Sequence, residues 1–231
     1  MFDVLTDYEV QALVLSLKVA TYTIVWLIPI GILIAWILAK KQFVGKHFLD
    51  SVVHLPLVLP PVVIGYLLLI VMGRQGVFGK WLYEHFSIAF SFNWKGAVLA
   101  CIVVALPLMV RSIRLSLEGV DNKLEQAAAT LGASPLKVFV TITLPLIIPG
   151  IITGTMLSFA RSLGEFGATI SFVSNIPGET QTIPLAMYSF IETPGSETQA
   201  MRLCVISILI ALASMMLSEW MSRCSRKRLR G

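Results

Sequence analysis

The sequence predicts an all-α integral membrane fold with five transmembrane helices, on three observations. Of its 231 residues, 56% are hydrophobic and only 13% charged, with a mean hydropathy of +0.83; ordinary soluble domains carry about 25% charged residues. The apolar residues gather into five runs long enough to cross about 30 Å of hydrocarbon, which takes roughly 20 residues in a helix. The charged residues collect at the ends of those runs, where orientation signals belong.

The runs cover approximately 13–39, 51–72, 96–117, 146–173 and 201–222, within a single domain, 1–231. The first is preceded by Asp3, Asp7 and Glu9, where a cleavable signal would be basic, so this span is expected to stay in the mature protein. The second carries LPLVLPP, with Pro60 and Pro61 adjacent; the third carries Pro107; the fourth carries Gly154, Gly164 and Gly167. Such breakers fit two readings, ordinary kinks that aid packing or a polar path along the second and fourth spans where freed backbone groups find partners. Between the fourth and fifth runs, Ile183 to Ile191 is too short to cross and is expected to form a re-entrant or interfacial helix. The aromatic-rich segment from Gly73 to Lys95 suits the headgroup level.

Orientation follows from the connections. Lys40, Lys41 and Lys46, then Arg111, Arg114, Lys123 and Lys137, then Arg223, Arg226, Lys227, Arg228 and Arg230 place twelve of the 18 Lys and Arg on one side. The positive-inside rule makes that side the cytoplasm, with the N-terminus outside and the C-terminus inside. The net charge of +5 is thus accounted for by topology, and the surroundings it implies are a lipid bilayer rather than nucleic acid. Cys101, Cys204 and Cys224 are an odd set with no disulfide framework.

The cytoplasmic loop 118–145 is the one long segment that cannot be membrane core. It reads as two short helices meeting at a bend. Asp121 caps the first, Leu124, Ala127, Ala128 and Leu131 share a face, and Gly132 suits a left-handed C′ position. Ser134 caps the second, with Pro135 at N1. A helix of about ten residues is marginal alone in water, so this loop calls for a partner.

Within the fourth span, Arg161 and Glu165 lie four residues apart on one helical face. A charge at the bilayer centre costs about 2.5–3.5 kcal/mol on insertion scales, so this face should point into the bundle or a polar path. Two roles stand open: a structural pair holding helices in register, or a gate in which Arg161 eases an anion through and Glu165 prevents tight binding. No catalytic residue and no metal site is expected: His47, His54 and His85 lack ligand spacing, Gly79-Lys80 and Gly45-Lys46 fail the phosphate-loop pattern, and HExxH and GxSxG are absent. Nucleotide chemistry must therefore come from another chain.

The loop residues EQAAATLGASPLKVFVTITLP resemble the EAA loop of ABC-importer permeases, with Gly132, Ile142, Leu144 and Pro145 matching in type and spacing. The family's glutamate falls on Gln126, with Glu125 one place earlier. HLPLVLPPVVIGYLLL, FVGK, LPLMVRSIRLSLEGVD, ARSLGEFGATISFVSNIPGETQTIPLAMY and ETPG resemble the molybdate permease (ModB) family over nearly the whole chain. The resemblance implies a type I ABC-importer permease fold that moves molybdate inward, with sulfate/thiosulfate or tungstate as alternatives; a secondary transporter is the rival of a different class. It implies no cofactor on this chain, ATP-Mg on a cytoplasmic ABC ATPase present in two copies, a second copy of this chain, and a periplasmic molybdate-binding protein. Leu124, Glu125, Gln126, Ala127, Ala128, Leu131, Gly132 and Pro135 become candidates for ATPase docking and coupling. Arg161, Glu165, Gly164, Gly167, Pro60 and Pro61 remain pore or gate candidates. Some family members carry an additional N-terminal span, which this chain is expected to lack.

Overall fold

The computed structural model describes residues 5–230, the side chains of 218, 219 and 221–230 excepted. Asp3, Glu219, Cys224 and the basic side chains counted toward orientation between Arg223 and Arg230 lie outside what is described. Among the described residues every regular element is helical.

Helix α1 (Asp7–Lys40) opens on a capping box: the Thr6 hydroxyl accepts from the Glu9 amide, and the Glu9 carboxylate accepts from the Thr6 amide at 2.7 Å. At 1.5 Å per residue its 34 residues reach about 50 Å, so it extends beyond the hydrocarbon. Helix α2 (Lys46–His54) leads through one 3₁₀ turn, Leu55–Leu57, toward α3 (Pro61–Met72). Pro60 is extended (φ −57°, ψ 135°) because the proline after it disfavours the helical region, and Pro61 then starts α3 at N1. The two limbs meet at a bend of 114°. The expected second span, 51–72, is accordingly a broken element rather than a continuous helix.

Helix α4 (Val77–Phe86) is short and follows immediately; α5 (Trp94–Glu118), capped by Asn93, is the central post of the bundle. Pro107 sits inside α5 without ending it. Helix α6 (Asn122–Thr130) is capped by Asp121, whose carboxylate accepts from the Lys123 amide at 2.9 Å. Gly132 takes φ +84°, the left-handed region in which a side chain is strained. Ser134 and Pro135 start α7 (Pro135–Val138) as the residues predict. That second helix does not end in the loop, however. It passes through a π-helical segment, Phe139–Thr143, into α8 (Leu144–Leu163), so the expected loop helix is the leading end of a long span.

The fourth run also breaks earlier than expected. Helix α8 stops at Leu163 and α9 (Gly167–Val173) is a separate piece, followed by α10 (Ile183–Glu192) and α11 (Glu197–Arg230). The core forms around α5. One cluster gathers Val19, Ile64, Cys101, Val104 and Phe172, a second Leu27, Leu38, Met109, Ile113 and Ile147, and a third Ala12, Ile183, Ala186 and Leu203. Apolar attraction between helices is weak in lipid, so close packing through small residues and internal polar bonds must hold the bundle. The α3–α9 contact is such a case: a Cβ at Gly65 would collide with the Ala168 carbonyl oxygen.

Candidate functional site

Two regions hold the candidate residues, the α5–α8 loop and the junction of the two broken spans.

In the loop, α6 buries none of its residues. Leu124 is 47% and Leu131 89% exposed, and Gln126, Ala127, Gly132 and Pro135 also face outward, with Ala128 half-buried. This surface, expected as a docking face, is apolar, rich in small residues and exposed. Glu125 departs from it. Its Oε2 accepts from Lys40 Nζ at 2.8 Å and its Oε1 from the Thr143 hydroxyl at 2.7 Å. Lys40 Nζ also donates to Asn122 Oδ1 at 2.8 Å. Partial burial pushes the Glu125 carboxyl upward, but the Lys40 and Thr143 bonds and the Lys40 charge outweigh it and hold the group below its ordinary range. Glu125 therefore faces its own chain, while Gln126 beside it faces outward.

At the junction, α8 ends because Gly164 and Glu165 turn the backbone: the Glu165 amide donates to the Ser162 carbonyl at 3.3 Å. Glu165 is 1% exposed, and its Oε1 accepts from the Ala168 amide at 2.7 Å, capping α9. Arg161 Nη1 stands 2.6 Å from Glu165 Oε2. That oxygen has no aligned hydrogen bond, so the pair is a charge contact rather than a well-directed donor–acceptor bond. The Arg161 side chain is about one-third exposed, at 32%, so the pair has one buried and one accessible end. Pro61 packs on Gly167, and Pro60 and Gly164 are exposed. The structure thus pairs Arg161 with Glu165, and Pro61 with Gly167 where α3 packs against α9. Glu165 is committed to capping α9 in this arrangement, which leaves Arg161 as the accessible charge.

Three relationships lay beyond sequence reasoning. The sequence marks Lys40 only as an orientation charge, although its place at the end of α1 lets it bond Asn122 and Glu125 of α6. Arg114 bonds Asp50 at 3.0 Å and Glu118 at 2.8 Å, joining α5 to α2. Arg202 meets Glu9 through two bonds of 3.0 Å, fastening the start of α11 to the start of α1.

Comparison with known proteins extends this geometry. The family model described as "Binding-protein-dependent transport system inner membrane component" matches residues 28–231. The chain is 64% identical over 225 residues to "Molybdenum transport system permease protein ModB" of Escherichia coli (strain K12), covering 97% of this chain and 98% of that protein. It is 62% identical over 221 residues to the protein of the same name in Haemophilus influenzae, with 96% of each covered. Among solved structures, a chain of a bacterial ABC transporter involved in the import of the acidic polysaccharide alginate superposes with a TM-score of 0.76 at 17% identity, over 94% of this chain and 80% of that one.

Proposed function

Because this chain belongs to the binding-protein-dependent transport system inner membrane components, we propose that it is the permease subunit through which an ABC importer carries molybdate into the cytoplasm. The fold is that of ABC-importer permeases, and the chain is a multi-pass inner-membrane transport component. Molybdate is favoured over sulfate by the near-complete match, at 64% and 62% identity, to two proteins named as molybdenum permeases.

The observation that carries the mechanism is helix α6 and the bend after it: the helix is capped and buries no residue, and the two present Leu124, Ala127, Leu131 and Gly132 outward. In the proposed complex this face seats in a groove on a cytoplasmic ABC ATPase. Two ATPase copies bind ATP-Mg and close, two copies of this chain follow through their loops, and a periplasmic molybdate-binding protein delivers the anion outside. The orientation is N-terminus outside and C-terminus cytoplasmic, as the placement of lysines and arginines argues. This chain itself performs no nucleotide chemistry.

For the anion's route, the crossing of the broken spans supports a role for Arg161. Its partly exposed guanidinium offers an oxyanion a positive contact, while Glu165 fixes the arginine and caps α9. Pro60, Pro61, Gly164 and Gly167 create the irregular backbone that such a route tolerates.

Coexpression with the candidate ATPase and binding protein, followed by purification through a tag on this chain, tests the assembly. The reading expects ATPase and permease in equal amounts; a chain that never retains an ATPase refutes it.

A further inference from the structure

Helix α6 must transmit force if it docks the ATPase, yet it has almost nothing holding it to the bundle. None of its residues is buried. Its link to the spans runs through side chains: Lys40, the last residue of α1, donates to Glu125 and Asn122 at 2.8 Å each. Thr143, which is 2% exposed and ends the π-helical segment before α8, donates to Glu125 at 2.7 Å. The ends it grips are themselves rigid, since Leu38 of α1 and Ile147 of α8 are fully buried in one apolar cluster. Among the described residues, Glu125 is thus the side chain of α6 that bonds two different spans.

We infer that Glu125 is the positioning residue of coupling, a latch that makes α1 and α8 follow the docking helix, while Gln126 at the neighbouring outward position meets the partner. The inference rests on the permease reading given above. The geometry separates the two roles in space: one carboxylate oxygen is assigned to each span, and the next side chain along the helix points away from both. The π-helical segment follows the docking bend and α7 and ends at Thr143. π-helical turns are rare and recur at functional sites. A latch on the far side of that segment is needed if motion at the bend is to reach α8 undamped.

The test uses the full complex, reconstituted in proteoliposomes with its ATPase and molybdate-binding protein, and reads molybdate imported per ATP hydrolysed. Glu125→Ala and the isosteric Glu125→Gln are expected to keep the ATPase bound and hydrolysing while lowering that ratio about fivefold or more, within the usual range of coupling between sites. Exchanging the charges, Lys40→Glu with Glu125→Lys, should restore much of the ratio. Gln126→Ala should instead weaken retention of the ATPase and leave the ratio unchanged. An unaltered ratio in both Glu125 variants overturns the inference, as does loss of the ATPase from both, which would make Glu125 a docking residue. Wild-type complex that imports no molybdate with ATP refutes the permease reading itself, a result distinguishable from either.

Discussion

Glu9 and Arg202, 193 positions apart, form a two-pronged ion pair in which the carboxylate is fully buried. The same carboxylate closes the capping box of α1, so one side chain begins one span and fastens another. Planar guanidinium matches carboxylate in this geometry, and lysine could not replace it bond for bond.

Breaking that pair should destabilise the protein strongly. Removing one partner of a buried ion pair costs about 3–5 kcal/mol, because the other charge stays buried without compensation. Arg202→Ala is expected to lower the thermal unfolding midpoint in detergent more than the double variant Glu9→Gln with Arg202→Met, in which neither charge remains. Equal midpoints for the two variants would show that the pair contributes nothing specific.

Arg161→Ala should sharply reduce uptake and leave ATPase association intact. Glu165 would keep its bond to the Ala168 amide, so the break before α9 survives while the accessible positive charge is lost. Uptake is expected to fall by roughly tenfold or more, equivalent to about 1.4 kcal/mol in the barrier, with Arg161→Lys intermediate. Normal uptake in Arg161→Ala would remove the residue from the anion's route.

Gly132→Asp places a side chain where φ is +84° and a charge on the docking bend. A non-glycine residue there costs about 1–2 kcal/mol, too little to unfold a spanning bundle. The variant should insert and be recovered in normal amounts but lose ATPase from the purified complex. Undiminished molybdate uptake would contradict the docking role of this bend.

The latch at Glu125 has a pH signature. Its carboxyl lies below its ordinary value of 4.5 because Lys40 and Thr143 hold the ionised form against the opposing effect of burial. The sign follows from linkage: a depressed folded value contributes stability above the unfolded value, and that contribution is lost as pH falls through the folded one. Wild type should therefore exceed Glu125→Gln in thermal stability at neutral pH and converge on it in acid. A difference that stays constant through the carboxylate range would rule the ionised latch out.

What the residues reveal directly is what depends on near neighbours. Asp121, Gly132, Ser134 and Pro135 announce the cap, the bend and the restart because each acts within a few positions. The breaks after Leu57 and Leu163 were visible as prolines and glycines, but an apolar run has the same composition whether it goes straight or turns. Pro60 and Pro61 permit the break, but the approach of Gly65 to Ala168 that packs α3 on α9 is a contact no local pattern encodes. Glu125 shows the same limit in the site. Its helix position groups it with outward candidates, and it is Lys40 at the end of α1, 85 positions earlier, together with Thr143, that turns it inward. Glu9 and Arg202 were unreadable as a pair for that reason.

The central claim is that this chain passes molybdate inward only when a partner ATPase works. Uptake of labelled molybdate into proteoliposomes holding this chain and its ATPase, with binding protein outside and ATP-Mg supplied to the nucleotide side, tests it most directly. The account predicts accumulation that requires ATP and the binding protein and is poorly competed by sulfate. Accumulation driven by an ion gradient without ATP would contradict it.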